Sequence, residues 1–295
     1  MAAGRMFARA LIGASLLTVM SAVAGYGQKP AAIENTGGKQ VVIEAWHADS
    51  LAGPLSELKK AFEAKNPAVN VNLTSGRSKE LAERILKGET CDVFVPSDPA
   101  VVKDMFAKKV GDKAAASWYI TFSANELVVI TPKGNPAGIK QMTDLDKAGS
   151  RLARVTGEKD MATYRTLEFI KQATAAEGKA ELGAKLIDGT QVKVGTIPEA
   201  VQAVKDGKAD AGVVYLSAAV AAGEAVAVVR FPPTVNLSEA IRNVVTVPAT
   251  AKDAATAADF VKFMLSEGGQ AILKKAGQPP VVPPLKEGNV PPAVM

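Results

Sequence analysis

Four polar residues of this chain stand where the sequence predicts that a helix begins. They are Ser50, Ser78, Asp160 and Thr196, and Glu199 follows Thr196 at the spacing of a capping box. Side chains of these types accept a hydrogen bond from a backbone amide in the first helical turn. On this interpretation alone, the four residues are helix caps and carry no further function.

The same helix starts suit a second interpretation, an anion-binding site. A helix N-terminus presents unpaired backbone amides and about half a positive charge. Several such ends that converge can hold a desolvated anion with uncharged hydroxyl and amide donors. Ser50 and Ser78 come from the first half of the predicted fold, whereas Asp160 and Thr196 come from the second half. The pattern therefore leaves both interpretations, capping and anion binding, open.

Predicted strands and helices alternate along the chain from about residue 40. The strands are VVIEAW, VNVNL, DVFVPS, ELVVITP, RLARV, QVKVG, AGVVYL and VVTVP. Amphipathic spacing predicts helices over 51–65, 79–87, 99–108, 162–175, 198–206, 252–265 and 268–276. This alternation predicts an α/β fold, and its two similar series of units predict two lobes. In open sheets of this class, ligands bind beyond the carboxyl ends of the strands.

The N-terminal segment has the composition of an export signal. Arg5 and Arg9 precede the apolar run LIGASLLTVM, and residues 22–24 form an A-x-A cleavage pattern. We therefore expect a signal peptide over 1–24, a flexible leader over 25–39 and a periplasmic mature protein. No later run approaches the roughly 18 apolar residues of a membrane-spanning helix.

The C-terminal end, residues 279–295, is rich in proline. Proline lacks the backbone amide that helices and central strands use for hydrogen bonding. We expect this tail to be extended or disordered, and not to form a packed element.

Composition argues against several functions. The net charge of +5 is not concentrated in a basic stripe with interleaved aromatic residues, so we expect no nucleic-acid partner. Cys91 is the only cysteine and cannot form an internal disulfide. His47 is the only histidine and has no cluster of cysteine or carboxylate residues around it in the sequence, so we expect no metal site and no cofactor. An enzyme would have to use His47 as the base for Ser50, without a third residue that orients the pair.

Five motifs occur in an order that resembles one known family. They are HADSL at 47–51, SKELAERILKGETCDVFVPSD at 78–98, DMATYRTL at 160–167, DAGVVYLSAAV at 210–220 and FVKFMLSEGGQAILKKAG at 260–277. Together they resemble the periplasmic molybdate- and tungstate-binding proteins of ABC importers, over roughly residues 40–280. Each motif is moderately specific, and their shared order is more so.

The resemblance implies a set of ligand contacts. Hydroxyl groups would come from the first lobe and from one tyrosine of the second, and backbone amides from two helix starts of the second lobe. The implied residues are Ser50, Ser78, Ala162, Ile197 and Tyr215. Ser75 competes with Ser78, and Asp160 matches either a carboxylate that coordinates the metal of the oxyanion or a plain helix cap. Val214 stands where the tungstate-binding subgroup has a second carboxylate, so a four-oxygen guest is expected.

The resemblance also implies the fold and the function. The fold would be the two-lobed type II periplasmic binding protein fold, in which each lobe is a mixed sheet flanked by helices and the ligand cleft lies between the lobes. Lobe 1 would comprise 40–125 and 243–278, and lobe 2 would comprise 126–242. The expected function is that of an exported monomer that captures molybdate or tungstate and delivers it to an ABC permease.

Three alternatives remain open on the sequence alone. In the first, the ligand of the binding protein would be sulfate or another small anion. In the second, the chain would be a secreted hydrolase or transferase on the same α/β scaffold. A sensor or enzyme-accessory domain that uses the same fold is the third.

Overall fold

The computed structural model describes residues 40–157 and 161–295. Of residues 147–149 it describes the backbone alone. The predicted signal peptide (1–24), the predicted leader (25–39) and Asp160 lie outside the described residues and stay predictions. Within the described ranges, no helix combines the length and the apolar character needed to cross a membrane.

The first sheet is parallel and has three strands in the order β2-β1-β3. Its strands and the helices that follow them are β1 Val41–Ala48, α1 Ala52–Lys65, β2 Val69–Gly76, α2 Ser78–Leu86, β3 Val93–Val95 and α3 Pro99–Phe106. Helix α1 forms because Leu55, Leu58 and Phe62 recur at helical spacing, and all three are buried against the sheet. A two-stranded hairpin follows, β4 Lys109–Val110 and β5 Lys113–Ala114.

The second sheet has five strands in the order β11-β7-β10-β8-β9. After the fully buried strand β6 Trp118–Ala124, the chain enters this sheet. The elements are β7 Leu127–Pro132, β8 Leu152–Val155, α4 Met161–Ala176, α5 Ala180–Asp188, β9 Val192–Val194, α6 Ile197–Lys205, β10 Ala211–Tyr215, α7 Leu216–Ala222 and β11 Val226–Val229. Strands β8, β9 and β10 are parallel, and β7 is antiparallel to β10 and β11, so the sheet is mixed.

The third sheet is antiparallel, in the order β12-β6-β13. It brings the end of the chain back to β6 through β12 Arg242–Val245, α8 Ala254–Leu265, α9 Glu267–Lys275 and β13 Pro280–Gly288. An isolated bridge between Phe94 and Thr246 joins this sheet to the first one. The first and third sheets therefore belong to one lobe, which is also a mixed α/β layer.

Separate hydrophobic cores lie in the two lobes. In the first lobe, Phe62 and Phe260 meet edge to face with ring centroids 5.1 Å apart. In the second lobe, Phe169 packs edge to face on Phe231 at 4.9 Å. The two-lobed mixed α/β fold predicted from the sequence is thus confirmed, while the exact lobe boundaries at 125/126 and 242/243 stay predictions.

The C-terminal tail corrects one expectation. Residues 280–288 are extended, as one alternative allowed, but they form a packed strand, which the sequence analysis considered too proline-rich to occur. Strand β13 lies at the sheet edge, where proline removes few ladder hydrogen bonds, and its register shifts between Pro280 and Leu285. Beyond the strand, the Val294 side chain is 1% exposed in the core of the first lobe. Edge pairing and this anchor make the tail a structural part of the lobe.

We expect the change Val294→Ala to lower the free energy of unfolding by about 1–3 kcal/mol, because it removes buried methyl groups and leaves a cavity. The matched control is Val282→Ala in the same tail, since the Val282 side chain is 71% exposed. That change should stay within about 0.5 kcal/mol of the unaltered chain. Denaturant unfolding measures both, and equal effects of the two changes would show that the tail is not anchored in the core.

Candidate functional site

Ser50 and Ser78 lie next to each other at the carboxyl edge of the first sheet. Strands β1 and β2 are parallel and in register, and their last paired positions are Ala48 and Gly76. Each serine follows its paired position by two residues. Because paired strands are about 4.8 Å apart, the two chain segments leave the sheet side by side. The structure therefore brings these two predicted residues together.

Neither serine caps its helix, so both capping predictions are wrong. Ser50 lies in the middle of a 3₁₀ turn, Asp49–Leu51, and the N-cap of α1 is Leu51 without a side-chain cap. Ser78 is the first residue of α2, whose N-cap is Arg77. The extra 3₁₀ turn shifts the start of α1, and β2 continues to Gly76, so that Arg77 is left as the N-cap of α2.

The hydroxyl groups of the two competing serines, Ser75 and Ser78, have different partners. The Ser75 hydroxyl donates to Asp49 Oδ1 at 2.6 Å. The Ser78 hydroxyl oxygen accepts from the Ser97 amide at 3.3 Å. Ser75 thus uses its proton within the protein, whereas no atom of the described residues receives the Ser78 proton.

The second lobe gathers its predicted residues in the same manner. Strands β8, β9 and β10 are parallel, so their carboxyl ends share one sheet edge. Ala162 is the second residue of α4, Ile197 is the first residue of α6, and Tyr215 is the last residue of β10. All three lie at that edge, and each is half-buried and thus reachable from solvent. Asp160 lies outside the described residues.

The capping box before α6 is confirmed. The Glu199 amide donates to the Thr196 hydroxyl at 3.4 Å, and Glu199 Oε2 accepts from the Thr196 amide at 3.3 Å and from the Gly195 amide at 2.8 Å. These bonds fix the orientation of the first turn of α6, which carries the Ile197 amide.

Arg165 is a residue that the sequence analysis did not single out. It lies on α4 three residues after Ala162, and its Nη1 is 3.5 Å from the Tyr215 hydroxyl oxygen. The motif DMATYRTL contained the signal, because a spacing of three residues places Arg165 on the same helix face as Ala162.

Contacts between the lobes connect the two groups of residues. Gln278, which is fully buried, donates from Nε2 to the Ser50 carbonyl oxygen at 3.3 Å. The preceding Gly277 has a φ of 70° and packs so closely on α7 that a Cβ there would lie 2.9 Å from Ser217 Cα and 3.1 Å from the Leu216 carbonyl oxygen. Leu216 directly follows Tyr215. One short path, Ser50–Gln278–Gly277–Leu216, therefore joins the strand ends of both lobes.

The crossing segment between β6 and β7 is held by buried polar contacts. Asn125 Nδ2 donates to the Ser217 hydroxyl at 2.9 Å. Glu126 accepts from Asn236 Nδ2 at 2.8 Å and forms an ion pair with Arg230. These bonds tie the entry strand of the second lobe to α7 and to the segment that leads back to β12.

His47 is a buried residue at the end of β1, as expected for a structural histidine. Its side chain is 2% exposed, and Nδ1 donates to the Ala48 carbonyl oxygen at 2.9 Å. Burial lowers the pKa of His47 below its usual value, although the Ala48 carbonyl and the charge of Asp49 oppose that shift. Across the part of the chain that the structure describes, no group of three or more histidine, cysteine or acidic residues could hold a metal ion.

A separate cavity of about 690 Å³ lies in the first lobe, away from these strand ends. It is lined mainly by small apolar residues, among them Ala116, Ala258 and Val294, around the N-terminal end of β6. None of the predicted site residues lines it.

We expect stability to fall as the pH drops through about 6.5, because the unfolded chain then takes up a proton that the buried His47 resists. In the variant His47→Gln this part of the loss should be absent. Thermal midpoints of both proteins between about pH 8 and about pH 5.5 measure it. Parallel curves for the two proteins would contradict the assignment to His47.

The chain is similar to several known proteins. The molybdate-binding protein ModA of Mycobacterium bovis is 28% identical over 247 residues, which cover 82% of this chain and 85% of the relative. A substrate-binding domain from Clostridium difficile superimposes with a TM-score of 0.67 at 23% identity, covering 82% of this chain and 99% of that chain. The sulfate-binding protein SubI from Mycobacterium tuberculosis H37Rv gives a TM-score of 0.60 at 20% identity, covering 82% and 88%. At these identities the two structures show the shared fold.

The family of bacterial extracellular solute-binding proteins matches residues 43–278. This match spans both lobes, including every described residue of the candidate site. The chain therefore belongs to the family of bacterial extracellular solute-binding proteins.

Proposed function

We propose that this chain is an exported solute-binding protein that captures a tetrahedral oxyanion, molybdate or tungstate, and delivers it to the permease of an ABC transporter. The observation that supports the proposal is that each lobe has its predicted donors at the carboxyl edge of its sheet, and that Gly277 and Gln278 link the two edges. Membership of the solute-binding family supports the transport role.

Uncharged donors suit a dianion that must be taken up and released. In a site closed to water, each hydroxyl or amide hydrogen bond is electrostatically stronger than the same bond on an exposed surface. Helix starts add the partial positive charge of their dipoles without the desolvation cost of a buried lysine. Closure of two lobes around the ligand supplies such a site, and reopening releases the ligand.

The donors that we assign come from five residues. The hydroxyl groups of Ser50 and Ser78 would donate from the first lobe, and the Tyr215 hydroxyl and the amides of Ala162 and Ile197 from the second. Ser78 is favoured over Ser75 because Ser75 already donates to Asp49. Asp160 stays a candidate contact. No separate cofactor is part of the proposal, because the metal of the oxyanion arrives with the ligand.

Molybdate or tungstate is preferred as the ligand because the Mycobacterium bovis relative, which covers most of this chain, is a molybdate-binding protein. Val214 offers no oxygen before Tyr215, which favours a guest with four oxygens but does not separate molybdate or tungstate from sulfate. Sulfate is the second candidate, since a sulfate-binding protein shares the fold. The anions differ mainly in size, so the radius of the closed cavity would decide between them.

A catalytic function of the same scaffold has less support. A hydrolase would need the His47 ring to accept a proton from Ser50, and only Nε2 could do so, because Nδ1 donates its proton to the Ala48 carbonyl. Within the described residues, no hydrogen bond joins the His47 ring to Ser50. Monomeric state, periplasmic location and docking to a permease belong to the proposal and follow from the carrier role.

Calorimetric titration of the mature protein with molybdate, tungstate, sulfate and phosphate tests the function. We expect one of the first three anions to bind with a Kd below about 10 μM, which corresponds to about −7 kcal/mol. If all four bind more weakly, the proposed function is wrong.

Serine variants test the site within the same titration. Ser50→Ala and Ser78→Ala should each weaken binding by about 10- to 100-fold, because each removes a hydrogen bond to a charged ligand. Ser56→Ala, at the fifth residue of α1 and not among the assigned donors, is the matched control and should bind like the unaltered protein. A larger loss for Ser75→Ala than for Ser78→Ala would reverse the choice between these two residues.

A further inference from the structure

We propose that Arg165 is a further ligand-binding residue of the second lobe, whose guanidinium donates to the oxyanion beside the Tyr215 hydroxyl and compensates part of its charge. This inference rests on the proposed function and deepens it, because it adds one cation to a site otherwise made of neutral donors.

The position of Arg165 on α4 aims its side chain at the helix start. The residue follows Ala162 by three positions, so both lie on one face of the helix. Side chains of a helix lean toward its N-terminus and cover the preceding turn. A long arginine side chain at this position therefore extends over the turn that contains the Ala162 amide.

The contact with Tyr215 fixes the direction of the guanidinium. Arg165 Nη1 is 3.5 Å from the Tyr215 hydroxyl oxygen, at the end of β10. The guanidinium thus bridges the first turns of α4 and the end of β10, the two elements that carry Ala162 and Tyr215. A group placed between two proposed ligand contacts lies within reach of the ligand itself.

Most N–H groups of the Arg165 guanidinium have no hydrogen-bond partner among the described residues. It carries five N–H groups, and among the described residues its one hydrogen bond is the long contact with Tyr215. No carboxylate of the described residues forms an ion pair with it. Three other arginines of the described chain have carboxylate partners: Arg77 pairs with Glu80, Arg151 with Asp210 and Arg230 with Glu126. An acceptor-rich anion would satisfy the donors that the described residues leave without a partner.

The charges on the two lobes make such a cation useful. Asp49 precedes Ser50 and holds a carboxylate at the edge of the first sheet, where it accepts from Ser75. A dianion that approaches Ser50 is repelled by this carboxylate. A guanidinium on the facing lobe offsets the repulsion, and its planar pair of N–H groups matches two oxygens of an oxyanion.

A donor-only cation also favours fully ionised oxyanions. Arginine has no acceptor, and neither do backbone amides toward a ligand. A protonated oxygen, such as that of hydrogen phosphate near neutral pH, cannot donate its proton to Arg165. We therefore expect Arg165 to increase the preference for molybdate or sulfate over phosphate.

The test compares Arg165→Gln and Arg165→Lys with the control Lys171→Gln, which removes the same charge from an exposed position on the same helix. Calorimetry with molybdate, tungstate and sulfate is run at about 20 mM and about 200 mM salt. We expect Arg165→Gln to weaken binding by about 10- to 100-fold and Arg165→Lys by less. The control should change binding by less than about 3-fold.

A second measurement separates ligand contact from a purely structural role. If Arg165 meets the anion, the affinity of the Arg165→Gln variant should depend less on salt than that of the unaltered protein, because one attracting charge is gone. Thermal unfolding without ligand checks that each variant folds. If Arg165→Gln does not fold, the Arg165→Lys variant and its salt dependence decide the question.

The outcomes are distinct. If the unaltered protein binds one of the three anions and Arg165→Gln binds it equally well, the inference is wrong and the proposed function stands. If Arg165→Gln binds more weakly but Lys171→Gln does so equally, the effect is one of general charge and the inference is also wrong. If the unaltered protein binds none of the three anions, the proposed function falls and the inference falls with it.

Discussion

The proposed capture of a dianion depends on hydrogen-bond donors that are already fixed in place when the ligand loses its water. Donors are fixed here by parallel strands. Strands β1 and β2 deliver Ser50 and Ser78 to one sheet edge, and β8, β9 and β10 deliver the start of α4, the start of α6 and Tyr215 to another. Because parallel strands end on the same side, each lobe contributes a group of donors without any long-range adjustment.

Buried polar contacts hold the two groups in relation to each other. Asn243 on β12 donates to the Ser123 hydroxyl on β6 and to Gln278 Oε1, both at 2.9 Å, and Gln278 in turn donates to the Ser50 carbonyl. A buried amide that lost one of these partners would carry the desolvation cost of an unpaired group, so the network specifies one arrangement. Through this network, the strands that connect the lobes also position the 3₁₀ turn that carries Ser50.

Local patterns in the sequence predicted more than non-local ones. The capping box of Thr196 and Glu199 was predictable because all its atoms lie within four residues. The capping roles of Ser50 and Ser78 were not, because a 3₁₀ turn before α1 and the length of β2 depend on packing against the sheet. Strand β13 was missed because its partner, β6, lies about 160 residues earlier. The contact of Arg165 with Tyr215 was not predictable in the same way, since it joins residues fifty positions apart.

A cation on one lobe changes how closure depends on the ligand. A ligand shifts an equilibrium between open and closed forms only by the difference between its affinities for the two. Neutral donors on both lobes provide that difference for any guest of suitable size. In the proposed site, an anion would meet the repulsion of Asp49 on the open first lobe and would gain the attraction of Arg165 only as the second lobe closes on it. The difference in affinity between the open and closed forms would then depend on the charge of the ligand as well as on its radius.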